Sequence, residues 1–276
     1  MNVMNIVWAV VWFAVMGLVL GIVLAFAAKI FAVKVDPRIE EVQDCLPGAN
    51  CGGCGFSGCS ALAQAIVEGK ASPTVCNAAE DDAIEKISGI MGITTEGRVR
   101  MRAQVMCSGT HEHAQKKYIY EGADNCIAAA RLGGGDKLCP NGCIGLGSCA
   151  DVCKFDAIHI ENGVAAVDYH KCAGCGVCVV SCPKNIIKLI PYDSKHWVGC
   201  ASLDKGAQVR KYCDVGCFGC KLCEKACEFD AIKVENNLAS IDYTKCTGCD
   251  KCVDACPRKI IWSSKSQGEG LLIKRV

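Results

Sequence analysis

Residues 156–187 read DAIHIENGVAAVDYHKCAGCGVCVVSCPKNII, and residues 230–261 read DAIKVENNLASIDYTKCTGCDKCVDACPRKII. The two stretches align without a gap at an offset of 74 residues. The register extends upstream: Cys126, Cys139, Cys143, Cys149 and Cys153 fall on Cys200, Cys213, Cys217, Cys223 and Cys227. A repeat of this kind has to be found before a fold is assigned. Each copy ends in one cysteine run, Cys172-x2-Cys175-x2-Cys178-x3-Cys182-Pro183 and Cys246-x2-Cys249-x2-Cys252-x3-Cys256-Pro257. Three cysteines at x2 spacing fold round one cubane [4Fe–4S] cluster, and the fourth, a helical turn on, points to a neighbouring cluster.

That run is the bacterial ferredoxin signature, so each copy reads as a complete two-cluster module. In the second copy Cys217, Cys220, Cys223 and Cys227 complete the set. The crossed assignment is Cys217, Cys220, Cys223 with Cys256, and Cys246, Cys249, Cys252 with Cys227. Between the runs, Ala231–Val234 and Leu238–Ile241 read as a hairpin round Asn236-Asn237. The first copy departs from the rule, because Leu146 occupies the position of Cys220. Cys139, four residues before Cys143, is the expected replacement; the alternative is a [3Fe–4S] cluster or a non-Cys ligand at this site. The replacement gives Cys139, Cys143, Cys149 with Cys182, and Cys172, Cys175, Cys178 with Cys153. Lys154 and Glu228, rather than Pro, follow Cys153 and Cys227, a further departure.

A different motif lies upstream, in residues 45–76, CLPGANCGGCGFSGCSALAQAIVEGKASPTVC. Its spacing, Cys51-x2-Cys54-x4-Cys59-x16-Cys76, puts three ligands together and one apart, where structural zinc sites use paired Cys-x2-Cys units. Glycines let the backbone wrap tightly, and Ser60–Glu68 is helical in pattern. Cys45 reads as a spare thiol. Residues 77–90 suggest a helix, followed by a turn near Gly92 and a short strand near Arg98 and Arg100.

The motifs supply twenty ligands and hence five clusters. Cys45, Cys107, Cys126, Cys200 and Cys213 remain. The residues alone favour leftover buried thiols, with a sixth cluster from Cys107, Cys126, Cys200 and Cys213 arithmetically open. His111 and His113 read as a solvated loop, and His196-Trp197 as packing. Gly133-Gly134-Gly135 lacks the context of a dinucleotide fingerprint, so no flavin, NAD or nucleotide site and no catalytic constellation is expected on this chain.

The chain has 25 Cys among 276 residues and a formal charge of +1. The odd count and the Cys-x2-Cys runs argue against a disulfide scaffold and for a reducing compartment. The near-zero charge, with no long basic block, argues against a nucleic-acid partner. Ile6–Ala28 is 23 residues without a charge, about 34 Å of helix at about 1.5 Å per residue, enough to cross a hydrocarbon core. Trp8 and Trp12 lie near its start, Lys29 and Lys34 follow it, and no basic residue precedes it. The positive-inside rule then places the rest of the chain in the cytoplasm. The missing basic n-region and the length of the run argue against a cleaved signal peptide.

The order of membrane helix, three-plus-one domain and ferredoxin modules resembles the B subunit of the Rnf electron-transport complex, with LPGANCGGCGFSGC the most specific stretch. The doubled array with CPNGCIGLGSC is similar to the longer form of that family. The resemblance implies a complex that couples electron flow between ferredoxin and NAD⁺ to Na⁺ or H⁺ transport across the cytoplasmic membrane. This chain would take electrons from soluble ferredoxin and pass them to integral-membrane and flavin-bearing subunits. A polyferredoxin of another membrane oxidoreductase, such as a hydrogenase, and a zinc scaffold are the rival readings. The expected fold is α+β, with a transmembrane anchor at 1–34, a four-Cys [4Fe–4S] domain at 35–92 and a linker at 93–125. Ferredoxin modules follow at 126–199 and 200–276.

Overall fold

The apolar run folds as one helix, α1 (Val3–Ile30), with Lys29 in its last turn. The computed structural model describes residues 3–30, 36–94 and 97–263; Lys34 lies outside them. Val10–Ile30 has a mean hydropathy of 2.7, and none of it is buried against the rest of the chain. Trp8, Trp12, Phe13, Leu18, Leu24 and Phe26 are all exposed. A helix apolar on every side and unpacked against protein is satisfied by lipid.

The four-Cys domain follows. Helices α2 (Arg38–Cys45), α3 (Cys59–Val67) and α4 (Asp81–Met91) pack round Val42, Leu62, Ile66 and Ile87, all at most 1% exposed. α3 matches the expected helix to one residue. α4 starts four residues later than expected, and Gly92 ends it in a left-handed cap (φ 65°), a conformation only glycine adopts cheaply. Arg98 then donates to the carbonyls of Cys76 and Ala79, tying the following strand back to this domain.

The remaining chain forms two similar α+β units. The first contains β1 (Met101–Val105), α5 (Cys126–Arg131), α6 (Ser148–Asp151), β2 (Ile158–Glu161), β3 (Val164–Val167), α7 (Val177–Ser181) and β4 (Ile187–Pro191). The second contains β5 (His196–Val198), α8 (Gly206–Tyr212), α9 (Leu222–Ala226), β6 (Ile232–Glu235), β7 (Leu238–Ile241), α10 (Lys251–Asp254) and β8 (Ile261–Ser263). Among the described residues the four sheets are antiparallel pairs: β1–β4, β2–β3, β5–β8 and β6–β7. The β6–β7 hairpin turns on Asn236 and Asn237 (φ 50° and 65°), and β2–β3 turns on Asn162 and Gly163 (φ 45° and 75°). Two left-handed residues in a row are what a type I′ hairpin turn requires.

The strand pairing runs across the expected module boundaries. β1 lies in the stretch read as linker, yet pairs with β4 over five residues from Met101↔Pro191 to Val105↔Ile187. β5 lies inside the span assigned to the first module, yet pairs with β8 of the second, Trp197 opposite Trp262. Each module therefore begins one strand earlier than the repeat, because the strand closing each module needs a partner for its backbone groups. Arg102 on β1 holds the two units together. It is 4% exposed, lies over the rings of Tyr169 and Trp197, and donates to Gln104 Oε1 (2.7 Å) and the Ser194 carbonyl (3.2 Å).

Candidate iron-sulfur sites

The second module brings together both crossed sets. Cys217, Cys220, Cys223 and Cys256 face one cavity of about 340 Å³, and Cys227, Cys246, Cys249 and Cys252 face another of about 350 Å³. The crossing has a local cause. Cys223 and Cys252 lie in α9 and α10, which pack on each other, and Cys227 and Cys256 sit just past the C-terminal ends of those helices. Cys227 Sγ accepts from the Ala231 amide (3.3 Å), and its repeat partner Cys153 Sγ accepts from the Ala157 amide (3.4 Å).

In the first module Cys153, Cys172 and Cys175 are the electrostatic neighbours of Cys178. The other set differs from expectation. Cys143, Cys149 and Cys182 face a cavity of about 340 Å³ whose fourth cysteine is Cys126, not Cys139. Asn125 caps α5 through its side chain, and the Cys126 amide donates to Ser148 Oγ (2.8 Å), at the start of the helix that carries Cys149. Leu146 packs against Cys126 rather than presenting a sulfur.

Cys139 stands elsewhere. With Cys107, Cys200 and Cys213 it faces a fourth cavity, of about 370 Å³, at the junction of the modules. The turn that bonds the Gly142 amide to the Cys139 carbonyl (3.2 Å) separates Cys139 from Cys143. Cys107 and Cys200 follow β1 and β5, each two residues beyond its strand, while Cys139 and Cys213 are repeat partners. The junction set is thus two cysteines from each module. Its sulfurs are held by the neighbouring sets: Cys143 N donates to Cys107 Sγ and Cys217 N to Cys200 Sγ, both at 3.3 Å. Sequence reasoning missed this exchange of Cys126 and Cys139. Repeat position alone gave no guide: Cys139 and Cys213 share a register and a set, whereas Cys126 and Cys200 share a register but line different cavities.

In the four-Cys domain, Cys51 and Cys54 are electrostatic neighbours of Cys76, and Cys54, Cys59 and Cys76 share one core. The Cys59 amide is fixed by Asn50 Oδ1 (2.8 Å). Cys45 ends α2 and packs into the domain core. The domain touches the first module at its motif: Cys51 is a neighbour of Cys175, and a Cβ at Gly53 would collide with the Cys175 carbonyl.

These sets suit a cubane held by thiolates. Four cavities of nearly equal size each carry four sulfur donors. Among the described residues, no three Cys, His, Asp or Glu side chains close on one point as ligands of a single ion would. Burial pushes the Cys139 thiol up to about 11 and those of Cys143, Cys149 and Cys200 up to about 12. Thiols so desolvated become thiolates only against compensating positive charge, which iron supplies.

Of the other residues singled out, His111 is exposed, its amide bonded to the Asn162 carbonyl (2.9 Å). His196 is buried beside the Cys227 set and pairs with Asp250 Oδ1 (2.5 Å).

A membrane helix followed by cysteine-lined ferredoxin units defines a membrane-anchored multi-cluster electron-transfer protein. Residues 46–77 match the family described as a putative Fe–S cluster, 165–188 a 4Fe–4S binding domain and 216–261 a 4Fe–4S dicluster domain. The chain is 46% identical over 246 residues to the B subunit of the Na⁺-translocating ferredoxin:NAD⁺ oxidoreductase complex of Acetobacterium woodii, covering 89% of this chain and 74% of that one. It is 43% identical to the B subunit of the proton-translocating ferredoxin:NAD⁺ oxidoreductase complex of Clostridium ljungdahlii (84% of each chain). It is 39% identical to the B subunit of the ion-translocating oxidoreductase complex of Methanosarcina acetivorans (85% and 89%). The chain belongs to this family, the B subunits of Rnf-type ion-translocating oxidoreductase complexes, and it carries [4Fe–4S] clusters.

Proposed function

We propose that this chain takes electrons from reduced ferredoxin in the cytoplasm and hands them, at the membrane, to integral and flavin-bearing subunits of an Rnf-type complex. A [4Fe–4S] cluster, when bound, accepts and releases single electrons. Six cysteine sets would hold six of them: Cys51/54/59/76, Cys153/172/175/178, Cys126/143/149/182, Cys107/139/200/213, Cys217/220/223/256 and Cys227/246/249/252.

The observation that carries this reading is the contiguity of the sets. Cys51 neighbours Cys175, and Cys178 neighbours Cys149. The Cys143 amide donates to Cys107 Sγ, and the Cys217 amide to Cys200 Sγ. The last two sets exchange ligands across α9 and α10. The result is an unbroken series from the second module to the domain that follows the membrane helix. The far end carries the exposed ligands, Cys220 and Cys249, where a soluble donor can approach. Lys29 at the end of α1 agrees with a cytoplasmic location for the cluster domains.

The test is anaerobic stopped-flow mixing of the membrane-extracted chain with reduced ferredoxin, followed by NAD⁺ reduction in membranes containing the partner subunits. Rapid bleaching of cluster absorbance, with ferredoxin-dependent NADH formation lost when the chain is deleted, is expected. Bleaching by a hydrogenase system but not by ferredoxin would favour the rival assignment.

A further inference from the structure

The junction set has an unusual neighbour. Lys137 lines the Cys107/Cys139/Cys200/Cys213 cavity and is 3% exposed. Its ammonium donates to the Gly109 carbonyl, on that cavity, and to the Gly163 carbonyl, on the first module's β2–β3 turn, both at 2.7 Å. It acts on Cys143 as well. Among the described residues it has no carboxylate partner; the adjacent Asp136 pairs with Lys116 (2.8 Å). The repeat partner, Lys211, is exposed. A buried ammonium bonded only to neutral carbonyls is costly unless a negative charge faces it. The negative charge at hand is that of a centre ligated by four thiolates.

Two further cations flank the same set symmetrically. Arg258 donates to the Cys213 carbonyl (3.0 Å), and Lys184, its repeat partner, donates to the Pro140 carbonyl (2.7 Å) beside Cys139. Asp204 and Asp214 are the acidic groups that act on Cys139 and Cys213; Asp214 is exposed, and Asp204 accepts from the Tyr212 hydroxyl.

We infer that Lys137 is a potential-setting residue: its buried charge raises the reduction potential of the centre at the module junction above that of its neighbours, making the junction the favoured resting place for an electron between the modules. The inference rests on the six-set reading above. Reduction adds one electron, and so one negative charge, inside the ring of four sulfurs. The Lys137 ammonium stabilises the more negative form, since net charge and hydrogen bonding near the sulfurs set cluster potentials. The nearby Cys143 set receives a smaller lift from the same ammonium.

The test uses the full chain, purified anaerobically with its clusters, in four forms: unsubstituted, Cys139→Ser, Lys137→Met and Lys137→Arg. Iron content and EPR-monitored redox titration are measured on each. Cys139→Ser identifies the junction signal by removing or altering it; if no signal and no iron changes, the six-set reading fails. With that signal identified, Lys137→Met should lower its midpoint by about 59 mV or more, the one-electron equivalent of a tenfold lower reduced fraction at fixed poise. The Cys143 centre should move by less, the other four should stay put, and Lys137→Arg should hold the original value. An unmoved junction midpoint in Lys137→Met at full iron content overturns the inference while leaving the six-set reading intact. If Lys137→Met loses the centre, retention in Lys137→Arg supports a charge requirement, and equal loss in both assigns Lys137 a purely structural part and overturns it.

Discussion

Leu146 shows how one residue redirects a whole site. Its counterpart Cys220 faces the cavity of the Cys217 set, whereas Leu146 packs beside Cys126, which lines the matching cavity of the first module. Cys126→Ser should therefore cost the first module one cluster, about four iron atoms, and change the EPR signature without touching the junction signal. Adding Leu146→Cys to that variant should restore the iron, because the second module already uses a cysteine there. Unchanged iron in the single variant would show that Cys126 is not a ligand. The missing ligand was legible in the sequence, since the repeat exposes Leu146 as an exception. Its replacement was not, because Cys139 is nearer in sequence, and only the Gly142 turn and the Cys126–Ser148 bond decide which thiol faces which cavity.

At the scale of elements, the hairpin round Asn236-Asn237 was plain in the sequence, because turn residues there separate two short apolar runs. The short strand expected near Arg98 and Arg100 forms just beyond them as β1, but its pairing with β4, and the whole of β5, were hidden. Met101–Val105 is short and carries Arg102 and Gln104, and His196–Val198 spans three residues, so both derive their strand character from tertiary pairing rather than from pattern. A chain beginning at 126 should thus fail to give a stable first module, while one beginning at 98 should retain it. Circular dichroism and iron content would separate the two, and equal folding of both would remove β1 from the module. The contact between the four-Cys domain and the first module rests on Gly53. Gly53→Ala should force the two backbones apart, at an overpacking cost of about 1–3 kcal/mol. Faster hydrogen exchange around Cys175 and slower cluster-to-cluster equilibration should follow; unchanged exchange would mean that the domains do not dock there.

For the whole molecule, the cysteine sets make up much of the module cores. The sheets are only two-stranded, which alone is marginal in water. Metal removal should therefore unfold the modules, as coupled metal binding and folding requires. Loss of near-ultraviolet dichroism on anaerobic chelation is the expected signature, and a chelated chain that keeps its tertiary signal would contradict it. The helix α1 leaves the four-Cys domain next in the chain to the bilayer, so the sites read as a series ending at the membrane. That order was not in the sequence, because the junction set draws two cysteines from each module and no local spacing announces it.

The most direct measurement is iron and acid-labile sulfide on the full chain purified without oxygen, beside the Cys139→Ser variant. About twenty-four iron atoms, four per cubane centre, with loss of one centre on Cys139→Ser while the Cys126/Cys143/Cys149/Cys182 signal persists, is the expected result. About twenty irons with the Cys139→Ser loss falling on the Cys143 signal, or zinc in place of iron and sulfide, would contradict it.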